Sequence, residues 1–278
     1  MLVFGACVIG VAPILVRFAE AGPAATGFWR LLFALPLLGI PSLRSPAGLA
    51  TPSRFMLLAG AAFAFDLAFW HYGIANTSVS KAAVLGNVTP IVVTAAAWLF
   101  FHQRPAPLFL VAVALSVVGA AIMAAAKGVG ATGPNPLLGD LLSISTSVWY
   151  ALYFLAISAA RQRQGATQVM FWSSLTGVPL LLAGAWLLRE PLVPATVVGW
   201  AACAGLGAVH AGGQGSIAWA LGRLPAATAS VTVLVQPVVT TLLGWILFGE
   251  LLSAWQAVGA ALALGGVVLA QRASTSGS

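Results

Sequence analysis

The polar side chains able to do chemistry in this chain form a short list. Asp66 interrupts the apolar run Ala61-Ala-Phe-Ala-Phe-Asp-Leu-Ala-Phe-Trp-His-Tyr72, which also carries His71 and Tyr72. A carboxylate in such surroundings is either protonated or in contact with a cation, so Asp66 is the first functional candidate. A neutral Asp66 hydrogen-bonded to a neighbouring helix is the bland alternative. His71 and His210 carry rings that titrate near neutral pH and could relay a proton, or simply be hydrogen-bonded. Arg30, in Phe28-Trp-Arg30, needs either a structural partner or the carboxylate of a solute. His210, Gln214, Ser216 and Trp219 form a second polar group. Two stripes recur at spacings of three and four, which put each on one helix face: Ser143, Ser147, Tyr150 and Tyr153, and Thr228, Thr232, Gln236 and Thr240. A wet cavity and interhelical hydrogen bonding explain such stripes equally well. Asn87 precedes Pro90 and Gln236 precedes Pro237. Each proline frees a backbone carbonyl near a side-chain amide, which suits either a gate or a fixed bend.

The list also excludes chemistry. There is no His-Glu-x-x-His, no cluster of metal-ligating residues, and no second acid to pair with Asp66 inside an apolar run, so an intramembrane enzyme is disfavoured and no catalytic residue, metal or cofactor is expected. Without a Gly-x-x-x-x-Gly-Lys-Ser/Thr loop, any drive must come from a gradient or from the solute itself. Coupling to a proton and plain facilitated diffusion both stay open. A purely structural membrane protein would give the polar groups no purpose.

The elements that position these residues follow from composition. With 60% hydrophobic and 6% charged residues over 278 positions, lipid must be the solvent. At roughly 20 residues per crossing, the chain is expected to be an all-α integral membrane protein of ten transmembrane helices. The runs lie near 2–18, 23–40, 54–75, 79–101 and 107–126, then 137–160, 167–188, 196–221, 226–248 and 254–271, with a Gly/Pro linker at 127–136 and a tail at 273–278. Residues 2–16 are read as a helix and not as a signal-peptide core, because no basic region precedes them; the natural start could lie further upstream. The net charge of +7 comes from scattered Lys and Arg, which read as topology signals and not as a nucleic-acid surface. With both termini in the cytoplasm, Arg44, Arg54, Arg104, Arg161, Arg163, Arg223 and Arg272 fall inside, against Arg17, Lys81, Lys127 and Arg189 outside. Cys7 and Cys203 read as buried free thiols.

The two halves repeat. Phe28-Trp29 and Pro36 recur as Phe171-Trp172 and Pro179 at an offset of 143, and Pro90, Trp98, Phe101 and Gly119 recur as Pro237, Trp245, Phe248 and Gly266 at 147. Five helices per copy is odd, so the second copy enters the membrane from the opposite side, the inverted arrangement that supports alternating access. At the same offset Tyr72 aligns with Trp219, placing an aromatic at equal depth in both copies, as a two-sided cavity would use, and as packing or an interfacial aromatic belt would also produce.

In these features the chain resembles the drug/metabolite transporter superfamily in its ten-helix form with two EamA-type repeats, and within it the amino-acid exporters of the YddG type. The matching residues are Pro23–Leu38 with Arg30, the run around Pro90, Gly139-Asp140, Trp149-Tyr-Ala-Leu-Tyr153, Leu221-Gly-Arg-Leu-Pro225, Gln236-Pro237 and Phe248-Gly-Glu250. The closing Gly-Glu occurs once, Gln103-Arg104 standing at the first position. The resemblance implies repeats at 1–126 and 137–272, a cavity between helices 1, 3, 4, 6, 8 and 9, and location in a bacterial inner membrane. It also implies export of a small metabolite, with amino acids ahead of lipophilic drugs; oligomeric state is left open. Aromatics and hydroxyls with few charges suit a neutral or zwitterionic solute better than a phosphorylated one.

Overall fold

The structure, a computed structural model, describes residues 1–44, 48–49, 51–77, 79–102, 104–126, 133–248 and 253–275, without the side chains of 79–81, 84, 101, 274 and 275. Every regular element among the described residues is helical. In chain order these are α1 (Leu2–Ile9), α2 (Ala12–Val16), α3 (Pro23–Leu43), α4 (Arg54–Asn76), α5 (Val79–Gly86), α6 (Thr89–Phe101) and α7 (Pro107–Ala125). They are followed by α8 (Pro136–Arg161), α9 (Ala166–Leu187), α10 (Val197–Val209), a π-helical turn (His210–Gln214), α11 (Gly215–Leu221), α12 (Ala226–Thr232), α13 (Val235–Phe248) and α14 (Ala254–Thr275). Among the described residues, seven stretches are long and apolar enough to cross a membrane: 23–43, 54–76, 107–125, 136–161, 166–187, 226–248 and 254–273. Prolines in the first turn open α3, α6, α7 and α8, where their missing N–H costs no hydrogen bond. Large apolar side chains such as Leu99, Phe100, Trp186, Leu187 and Trp255 remain exposed, a surface that water would not tolerate and lipid covers.

Four of the apolar runs are interrupted. The break between α5 and α6 falls at Asn87–Val88, because Pro90 has no N–H to offer the Gly86 carbonyl. That carbonyl instead accepts the hydroxyls of Thr89 at 3.1 Å and Ser147 at 2.9 Å, and Ser147 also lies 2.8 Å from the Leu85 carbonyl. A hydroxyl from α8 therefore satisfies the break. Between α12 and α13 the backbone closes its own gap. The Val233 carbonyl, four residues before Pro237, accepts the Gln236 N–H at 2.9 Å in a tightened turn. Between α1 and α2 the chain turns at Gly10, whose carbonyl accepts the Thr240 hydroxyl at 2.8 Å. By contrast α3 runs through Pro36 and Pro41 to Leu43, three residues beyond its expected end.

Close packing rests on small residues. In α7 and α14, Ala112, Ser116 and Gly119 face Gly259, Ala263 and Gly266; a Cβ on Gly119 would fall 2.4 Å from the Ala263 nitrogen, and one on Gly266 would fall 2.7 Å from the Ala112 carbonyl oxygen. The loops sort to two ends. At one, Gln164 reaches the Thr51 carbonyl and Arg161 the Ala218 carbonyl. At the other, Glu20 meets Thr196, Trp29 meets Leu192 and Thr77 meets Asp140. Gln103, the Gly249-Glu250 pair, the Lys81 side chain, Lys127 and linker residues 128–132 lie outside the described residues.

Candidate functional site

Midway along the bundle, five helices and the π-helical turn bring most of the lone polar side chains together. Asp66 lies twelve residues from Arg54 at one end of α4 and ten from Asn76 at the other, so about 15–18 Å separates it from either end at 1.5 Å per residue. Its side chain is buried, as is that of Arg30 from α3, and the two lie within electrostatic reach of each other. Among the described residues they form no ion pair within 4 Å. The Arg30 guanidinium sits over the Phe63 ring at 5.5 Å, and its Nε is buried without a hydrogen-bond partner. An acidic and a basic side chain thus lie near each other but unjoined, in a region where an isolated charge is expensive, with the Arg30 Nε–H left unmet.

Hydroxyls, amides and rings surround the pair. The Tyr153 hydroxyl donates to Gln214 Oε1 and the Gln214 amide donates to the Tyr150 hydroxyl, both at 3.4 Å. The tyrosine rings stack at 5.7 Å, and Phe63 lies 4.7 Å from Tyr153 and 5.2 Å from His210. His210 Nε2 is 3.1 Å from the Ser174 hydroxyl of α9, and Tyr153 also reaches the Met170 sulfur at 3.6 Å. Gln236 from α13 stands beside Tyr150, its amide nitrogen buried and unpaired. His71, half-buried, is within reach of Arg30. The π-helical turn supplies both His210 and Gln214; a widened turn of this kind rotates side chains that a regular helix would aim elsewhere and occurs often at functional sites.

Of the residues singled out above, Arg30, Asp66, His71, Tyr150, Tyr153, His210, Gln214 and Gln236 fall in or beside this centre. Trp219 does not. It is 39% exposed, with its ring under the Arg223 guanidinium at 3.7 Å. Tyr72 lies on a different face of α4 from Asp66 and lines a separate apolar cavity of about 210 Å³ between α3, α4, α8 and α9, its hydroxyl unpaired. A shared offset equalises depth along two helices, and says nothing about the direction each side chain faces. Asn87, Pro90 and Pro237 mark or flank breaks. Phe63, Met170 and Ser174 were missed; Phe63 sits one turn before Asp66 on the same face, the signal that could have found it.

The end of the bundle near Glu20 is tied across its helices. Glu20 accepts the backbone N–H of Thr196 at 2.9 Å, ahead of α10, while Glu190 accepts that of Ala25 at 3.0 Å in the first turn of α3. Each carboxylate thus meets the positive end of a helix from the other half. Gly22 and Gly199 leave the room, since a Cβ would fall 2.4 Å from Glu190 Oε2 at Gly22 and 2.8 Å from Glu20 Oε2 at Gly199. At the opposite end a cavity of about 1100 Å³ opens, reaching inward to Phe55, Ala97, Leu155 and Leu221.

Each of three comparisons with known proteins finds a likeness. A family model described as the EamA-like transporter family matches residues 1–125 and again residues 137–271. An uncharacterized transporter of Archaeoglobus fulgidus is 26% identical over 273 residues, covering 98% of this chain and 95% of the relative. A solved structure titled only as the crystal structure of a protein superposes with a TM-score of 0.83 at 17% identity, over 98% of this chain and 96% of that one, and so shares the fold.

Proposed function

Because the chain belongs to the EamA-like transporter family of the drug/metabolite transporter superfamily, we propose that it is a secondary transporter exporting small zwitterionic metabolites, amino acids first among them, across a bacterial inner membrane. As a member of that family it is a multi-pass membrane transporter with a small-molecule substrate, and transport is not an enzyme class. The observation that carries the finer reading is the buried pair of Arg30 and Asp66, a base and an acid, unjoined, and ringed by Tyr150, Tyr153 and Gln214. A carboxylate at Arg30 and an ammonium at Asp66 would each find a partner, and the rings would hold an apolar side chain.

Ten crossings follow if each interrupted run counts once: α1 with α2, α5 with α6, α10 through α11, and α12 with α13. An inverted pair of repeats at 1–126 and 137–272, joined by a linker at 127–136 and followed by a tail at 273–278, is supported by the twofold family match. It is supported too by reciprocal contacts. Gly60 meets Thr176 as Gly207 meets Phe33, and Gly119 meets Gly259 and Ala263 as Gly266 meets Ala112 and Ser116. These partners are related by the offsets of 147 and 143, the reciprocity of a two-fold axis. Alternating access would then open the centre to one end at a time, and both termini are assigned to the cytoplasm. A proton on Asp66 or His210 remains a candidate coupling device.

A second reading, export of lipophilic cations, draws on Asp66 with the rings of Phe63, Tyr150 and Tyr153. Arg30 opposes it, since its charge acts on the same centre. Uptake of radiolabelled threonine, methionine, phenylalanine and lysine into reconstituted liposomes, with and without a pH gradient, tests the proposal. Saturable, mutually competing flux is the expected result, and its response to the gradient decides coupling. No amino-acid flux, with accumulation of tetraphenylphosphonium in the same vesicles, would favour the cation reading.

A further inference from the structure

Arginines at cytoplasmic connections are what topology alone demands. Topology does not demand that they converge on one cavity. Yet Arg54, Arg163 and Arg223 all line the 1100 Å³ cavity at the open end of the bundle, and Arg161 stands beside it against Gly222, where a Cβ would fall 2.7 Å from its Nη2. Every anchor of these guanidiniums seen among the described residues is neutral. Arg161 donates to the carbonyls of Ala218, at 2.9 Å, and Gln164. Arg223 donates to the Trp219 carbonyl at 3.2 Å and covers the Trp219 ring, and Arg54 lies 5.0 Å from the Phe55 ring. No Asp or Glu among the described residues lines the cavity, and the five acids of the chain are Glu20, Asp66, Asp140, Glu190 and Glu250. Arg161 and Arg223 are moreover within electrostatic reach of each other, a repulsion between like charges that a bound anion would relieve.

The cavity also shares two helices with the centre. Its lining includes Leu155 of α8 and Leu221 of α11. Tyr150 lies five residues before the first and Gln214 seven before the second, about 7–11 Å along the helices. Its volume exceeds that of most small-molecule pockets, so a hydrated amino acid would enter without rearrangement.

We propose that this arginine-lined cavity is an anion-binding vestibule, which captures the carboxylate of a small organic solute before the solute reaches Arg30 and Asp66. Its part in transport rests on the export reading; carboxylate binding does not, and can be measured without flux.

The test uses the full chain in phosphatidylcholine nanodiscs, with succinate as the probe and its uncharged diamide as control, titrated calorimetrically at low salt. The wild type should bind succinate and not the diamide. Arg163→Gln with Arg223→Gln should weaken binding on the order of tenfold, as expected when charges are removed from a focusing cleft. Arg163→Lys with Arg223→Lys should retain most of it, which separates charge from folding. Arg44→Gln with Arg104→Gln, the same charge taken from outside the cavity, should change nothing. Equal weakening by both Gln pairs, or no succinate binding by the wild type, would overturn the proposal. Loss of succinate binding when phosphatidylglycerol replaces part of the lipid would overturn it as well, assigning the site to a lipid phosphate. Absence of amino-acid flux with succinate binding intact would sink the export reading alone.

Discussion

The glycines around the π-helical turn separate two roles that sequence cannot tell apart. A Cβ added to Gly212 or Gly215 meets nothing within 4 Å, whereas one added to Gly207 would lie 2.5 Å from Phe33 Cβ and 2.9 Å from the Phe33 carbonyl carbon. Glycine in a helix interior costs about 1 kcal/mol relative to alanine, so Gly212→Ala with Gly215→Ala should stabilise the fold by up to about 2 kcal/mol. Gly207→Ala gains the same propensity but forces α10 from α3 by about 1 Å to restore ordinary carbon contacts. Overpacking of that kind costs about 1–3 kcal/mol and leaves a net loss. Thermal unfolding of the purified chain in detergent should therefore order the proteins with the double variant highest, the wild type next and Gly207→Ala lowest, each step a few degrees. Counterflow on the same samples should show the double variant turning over more slowly, because alanine favours a regular helix where the π-helical turn presents His210 and Gln214. A double variant that melts below the wild type, or a Gly207→Ala protein that melts unchanged, would refute the reasoning.

Three further outcomes are expected. Gly266→Ala should lower the melting temperature while Gly265→Ala, whose Cβ meets nothing within 4 Å, should not; equal effects would contradict the α7–α14 packing. Ser147→Ala removes the hydroxyl that serves the Leu85 and Gly86 carbonyls and should cost about 1 kcal/mol, read as a lower melting temperature that Ser147→Thr largely restores. Glu20→Gln combined with Glu190→Gln weakens both links between Glu20 or Glu190 and a helix start, and should raise the reactivity of a cysteine placed at Ser174 toward a reagent added from the Glu20 end. Unchanged labelling would mean that these links do not close that end.

Much of this was legible because lipid makes polar side chains conspicuous. Asp66, Arg30, Tyr150, Tyr153, His210 and Gln214 each interrupt an apolar run, and a group that costs several kcal/mol to bury alone must meet others. Run lengths bounded by proline and charge likewise placed α4, α7 and α9 within two residues of their ends. Depth alone misled for Tyr72, since six residues from Asp66 at about 100° each put it on another face of α4, while for Trp219 the π-helical turn His210–Gln214 changes the register that would orient it. The breaks carry prolines, yet which group satisfies the freed carbonyl depends on the neighbouring helix, and Ser147 lies 57 positions beyond Pro90. The Glu20 and Glu190 links were invisible for a similar reason: partners 176 and 165 residues away leave no periodic mark.

In the proposed mechanism Arg30 and Asp66 together hold a zwitterion. The most direct test is counterflow of phenylalanine in liposomes by wild type, Arg30→Gln and Asp66→Asn, with phenylalanine methyl ester and phenylpropionate as competitors. Saturable exchange by the wild type is expected, competed more weakly by either analogue than by phenylalanine, with loss of exchange in both variants. Exchange by Asp66→Asn and Arg30→Gln at the wild-type rate and KM would contradict the mechanism.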